Sequence, residues 1–291
     1  MGGIAYAAPR SLDEALAVLA ERGPETSILA GGMIVVSALK QGTLAARHIM
    51  NIKALGLPSD PEMSPDELAI GALVCHRRVE GDAAVGARLP ALQELERNAA
   101  SVQIRNHGTL VGNLCAAEPW TDLPCLMAAL GARLRLASAR QRREVAADDW
   151  ILAPATTRRR PDEMVLAIGI PLPKDAEGFG YSRLTLRQGL APPVACAAAR
   201  LALARNGAIA SARVFLGAVG PRPQRLASIE AMLTGEVPSA ISPADIDNAV
   251  SRDVECLADQ RCSSGYKKQV AGVLVRRAVA DAVADAGRQR P

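Results

Sequence analysis

This sequence predicts a two-domain α+β fold, and three observations carry the prediction. The chain has 291 residues, enough to bury two cores. Hydrophobic residues make up 49% of it but aromatics only 2%, so Leu, Val, Ile and Ala must supply the core volume. Short strand-like apolar runs and amphipathic helical runs lie on both sides of "PLPKDAEGFG" (171–180), whose prolines, glycines and charges mark a boundary.

The elements follow in order. Ser11 with Glu14 forms a capping-box signature ahead of a helix with Leu12, Ala15, Leu16 and Leu19 on one face, and Gly23-Pro24 ends it. "TSILAGG" predicts a strand running into two glycines, and "MIVVSALKQG" a helix closed by Gly42. "RHIMNI" and "ELAIGALV" predict short strands. "LPALQELERNAASV" predicts a helix with Leu89, Leu92, Leu95 and Ala99 on its apolar face. "PCLMAALGA" predicts a helix, whereas "RLRLAS", "REVAADDWIL" and "EMVLAIGIP" predict strands or short loops, with "TTRRRPDE" a solvated basic loop between them. Beyond the boundary, "YSRLTLR", "VACAAARLALA" and "ASARVFLGAVG" read as strands, the last two joined as a hairpin by "RNG". "RLASIEAMLTG" and "SSGYKKQVAGVLVRRAVADAVADAG" read as helices, the second presenting Val270, Leu274, Ala278 and Val283 on one face.

Composition excludes several functions. The formal charge is +4 from 34 basic and 30 acidic residues, too balanced for a nucleic-acid partner, and scarce aromatics disfavour stacking on single strands. Cys75, Cys115, Cys125, Cys196, Cys256 and Cys262 form no Cys-x-x-Cys, which is neither zinc nor iron–sulfur spacing; scattered thiols in a chain of this length predict a reducing cytoplasm. The N-terminus carries no basic-then-apolar leader pattern, and "TSILAGGMIVVSAL" falls short of the roughly 20 residues of a membrane span, so the sequence predicts a soluble chain with no transmembrane segment.

Two stretches carry candidate binding chemistry. "ILAGGM" runs strand, Gly-Gly, helix, and "GTLVGN" sets Gly108 and Gly112 around small residues. Glycine permits close approach of a ligand, and free N–H groups near a helix N-terminus suit a pyrophosphate, so two such loops could hold one dinucleotide from both sides. Each loop alone reads equally as a plain turn. Neither matches the Rossmann or P-loop fingerprint. Asp122 either serves the start of the following helix or accepts hydroxyls from a ribose or ribityl chain. His48, His76 and His107 make no metal pattern; His107 flanks a glycine loop, where structural or surface duty stands beside a covalent flavin link.

"ILAGGMIVVSALKQG", "LAIGALVCHRRVE", "QIRNHGTLVGNLCAAEPWTDLPCLMAALGA", "RREVAADDWI", "LGAVGPRPQRLASIEAMLTG" and "SSGYKKQVAGVLVRRAV" occur in one order. In that order the chain resembles the FAD-binding (medium) subunit of molybdenum hydroxylases, of the carbon monoxide dehydrogenase and xanthine dehydrogenase type. The resemblance spans nearly the whole chain. It implies a two-lobed FAD-binding domain of the vanillyl-alcohol-oxidase/PCMH type over residues 1–173, with lobes of about 1–55 and 56–173, and a C-terminal domain over 174–291 with a small antiparallel sheet and helices.

The same resemblance implies the site. Leu29, Ala30, Gly31, Gly32, Met33, Ile34, Val35 and Val36 look like the first FAD loop, and Thr109, Leu110, Val111, Gly112 and Asn113 like the second. Asp122 falls where the family binds the flavin's polar chain, Val165 where an apolar residue lies against the adenine or ring system, and Arg183 where a basic residue lies near the flavin. Met33 and Ile34 replace a usual polar pair, and Val111 a usual glycine. Where some relatives cover the flavin with a tyrosine, "RQGLAPP" offers Leu190 and Ala191. Non-covalent FAD is then this chain's cofactor, with no residue of its own acting as general acid or base. Molybdopterin belongs to a large partner subunit and [2Fe-2S] clusters to a small one, in a dimer of heterotrimers. Electrons travel from the clusters to this flavin and on to an external acceptor. Two other readings stand beside this one: a self-sufficient flavin oxidase, and a scaffold subunit without FAD.

Overall fold

The computed structural model describes residues 3–187 and 191–288. The first lobe is a small parallel sheet built by crossover connections. Strand β1 (Ala5–Ala7) leads to helix α1 (Leu12–Arg22), β2 (Thr26–Leu29), helix α2 (Met33–Lys40) and β3 (His48–Asn51), in the order β1-β3-β2. Both pairings of β3 are parallel, which is why a helix precedes each returning strand. Ser11 caps α1 by accepting from the Glu14 amide at 3.2 Å, while the Glu14 carboxylate accepts from the Arg10 amide rather than from Ser11, so the capping box closes one residue early. Helix α1 buries Ala15, Leu16 and Leu19. Helix α2 buries none of its residues.

The second unit alternates a meandering sheet with short helices. Strands β4 (Glu62–Met63) and β5 (Glu67–Gly71) come first. Helices α3 (His76–Gly81), α4 (Ala83–Arg88), α5 (Pro90–Arg97), α6 (Val102–His107), α7 (Leu110–Ala116) and α8 (Leu123–Leu130) follow. Then come β6 (Arg133–Ala137), β7 (Arg142–Ala146), β8 (Ile151–Ala153), β9 (Thr156–Thr157) and β10 (Met164–Pro171). The sheet order β4-β5-β10-β6-β7 puts β10 at the centre, and its near-continuous apolar run is what a strand covered on both faces requires. All eight residues of α8 are buried.

The last unit is an antiparallel sheet, β11-β12-β13-β14, formed by Glu177–Leu184, Ala195–Leu203, Ile209–Gly217 and Gln224–Arg225. Helices α9 (Ala227–Leu233), α10 (Pro243–Asp253) and α11 (Ser264–Arg288) cover it. The predicted β12–β13 hairpin is present. The alanines of β12 and α11 let helix and sheet backbones approach closely; a Cβ at Gly178 or Gly180 would collide with α11 backbone. One apolar cluster joins the first two units to Phe179, Tyr181, Cys196 and Phe215 of the last, and a second lies between that sheet and α9–α11.

Three expectations change. "LPALQELERNAASV" is not one helix: Ala100 turns left-handed at φ 43°, and Ser101 caps a new helix by accepting from the Ile104 amide at 3.3 Å. "GTLVGN" is not a loop but the start of α7, with Thr109 as its cap. The strand in "ELAIGALV" ends at Gly71.

Candidate functional site

The two glycine stretches, 77 positions apart at Gly31 and Gly108, touch in the fold. A Cβ at Gly31 would collide with the His107 carbonyl oxygen and stand 2.9 Å from the Gly108 Cα, so only glycine lets these backbones meet. Gly32 has φ +80°, a left-handed conformation, and from it the chain enters α2 with no side-chain cap. Val36 N donates to the Gly32 carbonyl at 2.9 Å as the first bond of the helix. The amides of Met33, Ile34 and Val35 therefore precede the helical ladder and point out of its N-terminus, a ready site for an anion. Met33 reaches across to the second stretch, where its Cγ would lie 3.4 Å from a Cβ at Gly108.

The second stretch is held from behind. His76 N donates to the Gly108 carbonyl at 3.0 Å and Leu110 N to the Val74 carbonyl at 3.3 Å, with Cys75 and Thr109 bridged antiparallel. Thr109 Oγ1 accepts from the Gly112 amide at 3.0 Å. Gly112 is helical, with no positive φ, and a Cβ there would stand 2.9 Å from that hydroxyl. Leu110 and Val111 are buried in the core. The valine in place of the family's glycine is thus absorbed by packing rather than presented to a ligand. Met33 and Ile34 are exposed. His107 is an exposed residue whose carbonyl, not its imidazole, meets the first loop.

The structure also tests whether these residues fit a dinucleotide. The buried Asn113 Oδ1, on the second stretch, has no protein partner. With the uncapped α2 N-terminus and the backbone cradle at Gly31, that donor-and-acceptor set fits FAD.

Asp122 occupies the cap position of α8 but makes no side-chain capping bond. Its carboxylate instead accepts from the Tyr181 hydroxyl at 2.7 Å and pairs with Arg183 at 3.0 Å, both through Oδ2. Arg183 also donates to the Asn98 carbonyl at 3.2 Å and the Ala191 carbonyl at 3.0 Å. Burial, with the Asp122 charge behind it, raises the Tyr181 phenol well above its ordinary value. Sequence reasoning missed Tyr181, although it stands two residues before Arg183 on one strand and hence on the same face. Val165 is buried on β10, and its neighbour Leu166, beside the bulge there, is the half-buried one. Ala191 is half-buried, while Leu190 lies outside the described residues.

The comparisons with known proteins settle the family. Residues 2–173 match the model of the FAD binding domain in molybdopterin dehydrogenase. The chain belongs to that family. Residues 181–282 also match the CO dehydrogenase flavoprotein C-terminal domain. Two similar proteins are caffeine dehydrogenase subunit beta of Pseudomonas sp. (strain CBB1), 29% identical over 95% of this chain and 94% of that one, and the carbon monoxide dehydrogenase medium chain of Afipia carboxidovorans, 30% identical over 98% of each. A solved structure of carbon monoxide dehydrogenase from Hydrogenophaga pseudoflava superposes with a TM-score of 0.89 at 28% identity, over 97% of this chain and 98% of that one. As a molybdopterin dehydrogenase flavoprotein, this chain is an FAD-binding oxidoreductase subunit of a multi-subunit molybdenum hydroxylase. No helix among the described residues is long and apolar enough to cross a membrane.

Proposed function

We propose that residues 29–36 and 109–113 hold the FAD pyrophosphate between them, with the amides of Met33, Ile34 and Val35 as donors and Asn113 as a polar contact. The contact of Gly31 with His107 and Gly108 carries this reading, because it sets an uncapped helix N-terminus beside the capped start of α7. Asp122 uses Oδ2 for Tyr181 and Arg183, which leaves Oδ1 to accept a hydroxyl of the flavin's ribityl chain. Arg183 is the cation near the flavin. Val165 acts from the core as a support, and Leu166 beside it is the apolar surface. When bound, FAD supplies the redox chemistry, taking electrons from [2Fe-2S] clusters of a small subunit and passing them to an external acceptor.

Residues 1–173 form the FAD-binding domain and 174–291 the C-terminal domain. The chain works in the cytoplasm as part of a dimer of heterotrimers with the large molybdopterin-binding and small [2Fe-2S] subunits. Native mass spectrometry and a visible spectrum of the purified complex test this. Three different chains with about one acid-releasable FAD per medium subunit are expected. A colourless chain, or an active assembly of this chain alone, would overturn it.

A further inference from the structure

Beneath the second FAD stretch lies a buried ion pair that the redox role leaves unexplained. His76 begins α3, Glu96 lies in α5, and the two side chains are 6% and 0% exposed. Nδ1 of His76 stands 2.5 Å from Glu96 Oε2, and Glu96 Oε1 is buried with no partner. The same histidine touches the candidate site twice: its amide donates to the Gly108 carbonyl, and its Cδ2 would lie 3.3 Å from a Cβ at Gly108. A buried pair of this kind is weak evidence for stability, since two apolar side chains would fill the space at lower desolvation cost. Its place under an anion-binding turn calls for another explanation.

We infer that His76 is a positioning residue for FAD: its imidazolium, anchored by Glu96, fixes the Gly108–Thr109 turn at the head of α7 and sets a positive charge beneath the pyrophosphate. The inference rests on the reading of residues 29–36 and 109–113 as the FAD site. The charged groups facing His76 are Glu96 from α5, Arg105 from α6 and Asp122 ahead of α8; Arg105 is itself tied to Glu80 of α3 at 2.8 Å. Burial pulls the imidazole down, but Glu96, through charge and hydrogen bond, and Asp122 outweigh it against Arg105, so His76 titrates above its ordinary value. A bound pyrophosphate raises it further. FAD affinity is then greatest where His76 is protonated in the free chain, and falls as pH rises through the titration to the FAD-bound value.

The test is FAD titration of the full, flavin-stripped chain between about pH 6 and pH 9, for the natural sequence, His76→Gln and Glu96→Gln. A one-unit rise of the His76 pKa on binding corresponds to an increase in Kd of about tenfold across that range. His76→Gln should bind weakly at all pH values with a flat profile, and Glu96→Gln should lose affinity at lower pH than the natural chain. A flat natural profile, or the same slope in His76→Gln, overturns the inference. Should the variants fail to fold, nitrogen NMR of the natural chain decides, because it has only 3 histidines: the His76 titration must move up when FAD binds, and no movement overturns the inference. A natural chain that binds no FAD at any pH refutes the site itself, which is a different outcome from FAD binding without pH dependence.

Discussion

Replacing Asp122 by Ala should destabilise the chain even without FAD. The Asp122 side chain is 9% exposed and links the start of α8 to β11, accepting from Tyr181 at 2.7 Å and pairing with Arg183 at 3.0 Å. The Arg183 side chain is only 14% exposed, so solvent screens the pair little. Removing one partner of a buried pair costs about 3–5 kcal/mol. Arg183 keeps its bonds to the Asn98 and Ala191 carbonyls, which places the loss at the lower end, about 3 kcal/mol. For a chain of this size that lowers Tm by roughly 6–12 °C. Asp122→Asn, which keeps an acceptor for Tyr181, should lose about half as much. The assay is thermal unfolding of the flavin-free chain by circular dichroism near neutral pH. Melting of Asp122→Ala within about 2 °C of the natural chain would refute the reasoning. Loss of FAD binding alongside the lowered Tm is the outcome expected if Oδ1 also accepts a ribityl hydroxyl while Oδ2 ties the two units.

Gly31→Val should abolish FAD binding, because its side chain enters the space of the His107 carbonyl; flavin content per folded chain reads this out. Thr109→Val removes the acceptor for the Gly112 amide and should cost about 1 kcal/mol in thermal unfolding. Tyr181 has a raised folded pKa, so its stabilising contribution is complete below the unfolded tyrosine value of about 10 and is lost as pH rises above it; Tyr181→Phe should flatten that alkaline fall in stability. Glu163 has a lowered folded pKa: burial is the largest effect and raises it, but the bond from Arg143 at 2.6 Å, the bond from the Arg160 amide at 2.8 Å and the charges of both arginines together outweigh it. Its contribution is therefore present above the unfolded glutamate value of about 4.3 and is lost on acidification through the folded value, which Glu163→Gln should show as a shallower acid unfolding curve.

Most of the fold was legible where one local signal agreed with burial. Ser11 and Gly42 bounded their helices, the apolar run at 164–171 became the central strand, and "RNG" turned a hairpin. The stretch around Gly108 was harder, because its punctuation signals a turn while Thr109 caps a helix that buries Leu110, Val111 and Leu114. Helix α10 escaped notice although Pro243 stands at its first turn, a position proline favours. The candidate site divides in the same way. Gly31 and Gly32 were readable as glycines with a purpose, but their contact with His107 and Gly108 is tertiary and leaves no local mark. The bond from Tyr181 to Asp122 spans 59 positions and that from His76 to Glu96 spans 20, so neither pairing follows from sequence spacing.

The most direct measurement is hydrogen exchange of the backbone amides with and without FAD. Slowed exchange is expected at residues 31–36 and 109–113, the two stretches proposed to hold the pyrophosphate, with little change across α9–α11. Unchanged exchange in both stretches while FAD binds, with protection appearing instead at the surface groove lined by Arg77, Arg78 and Asn106, would contradict that placement.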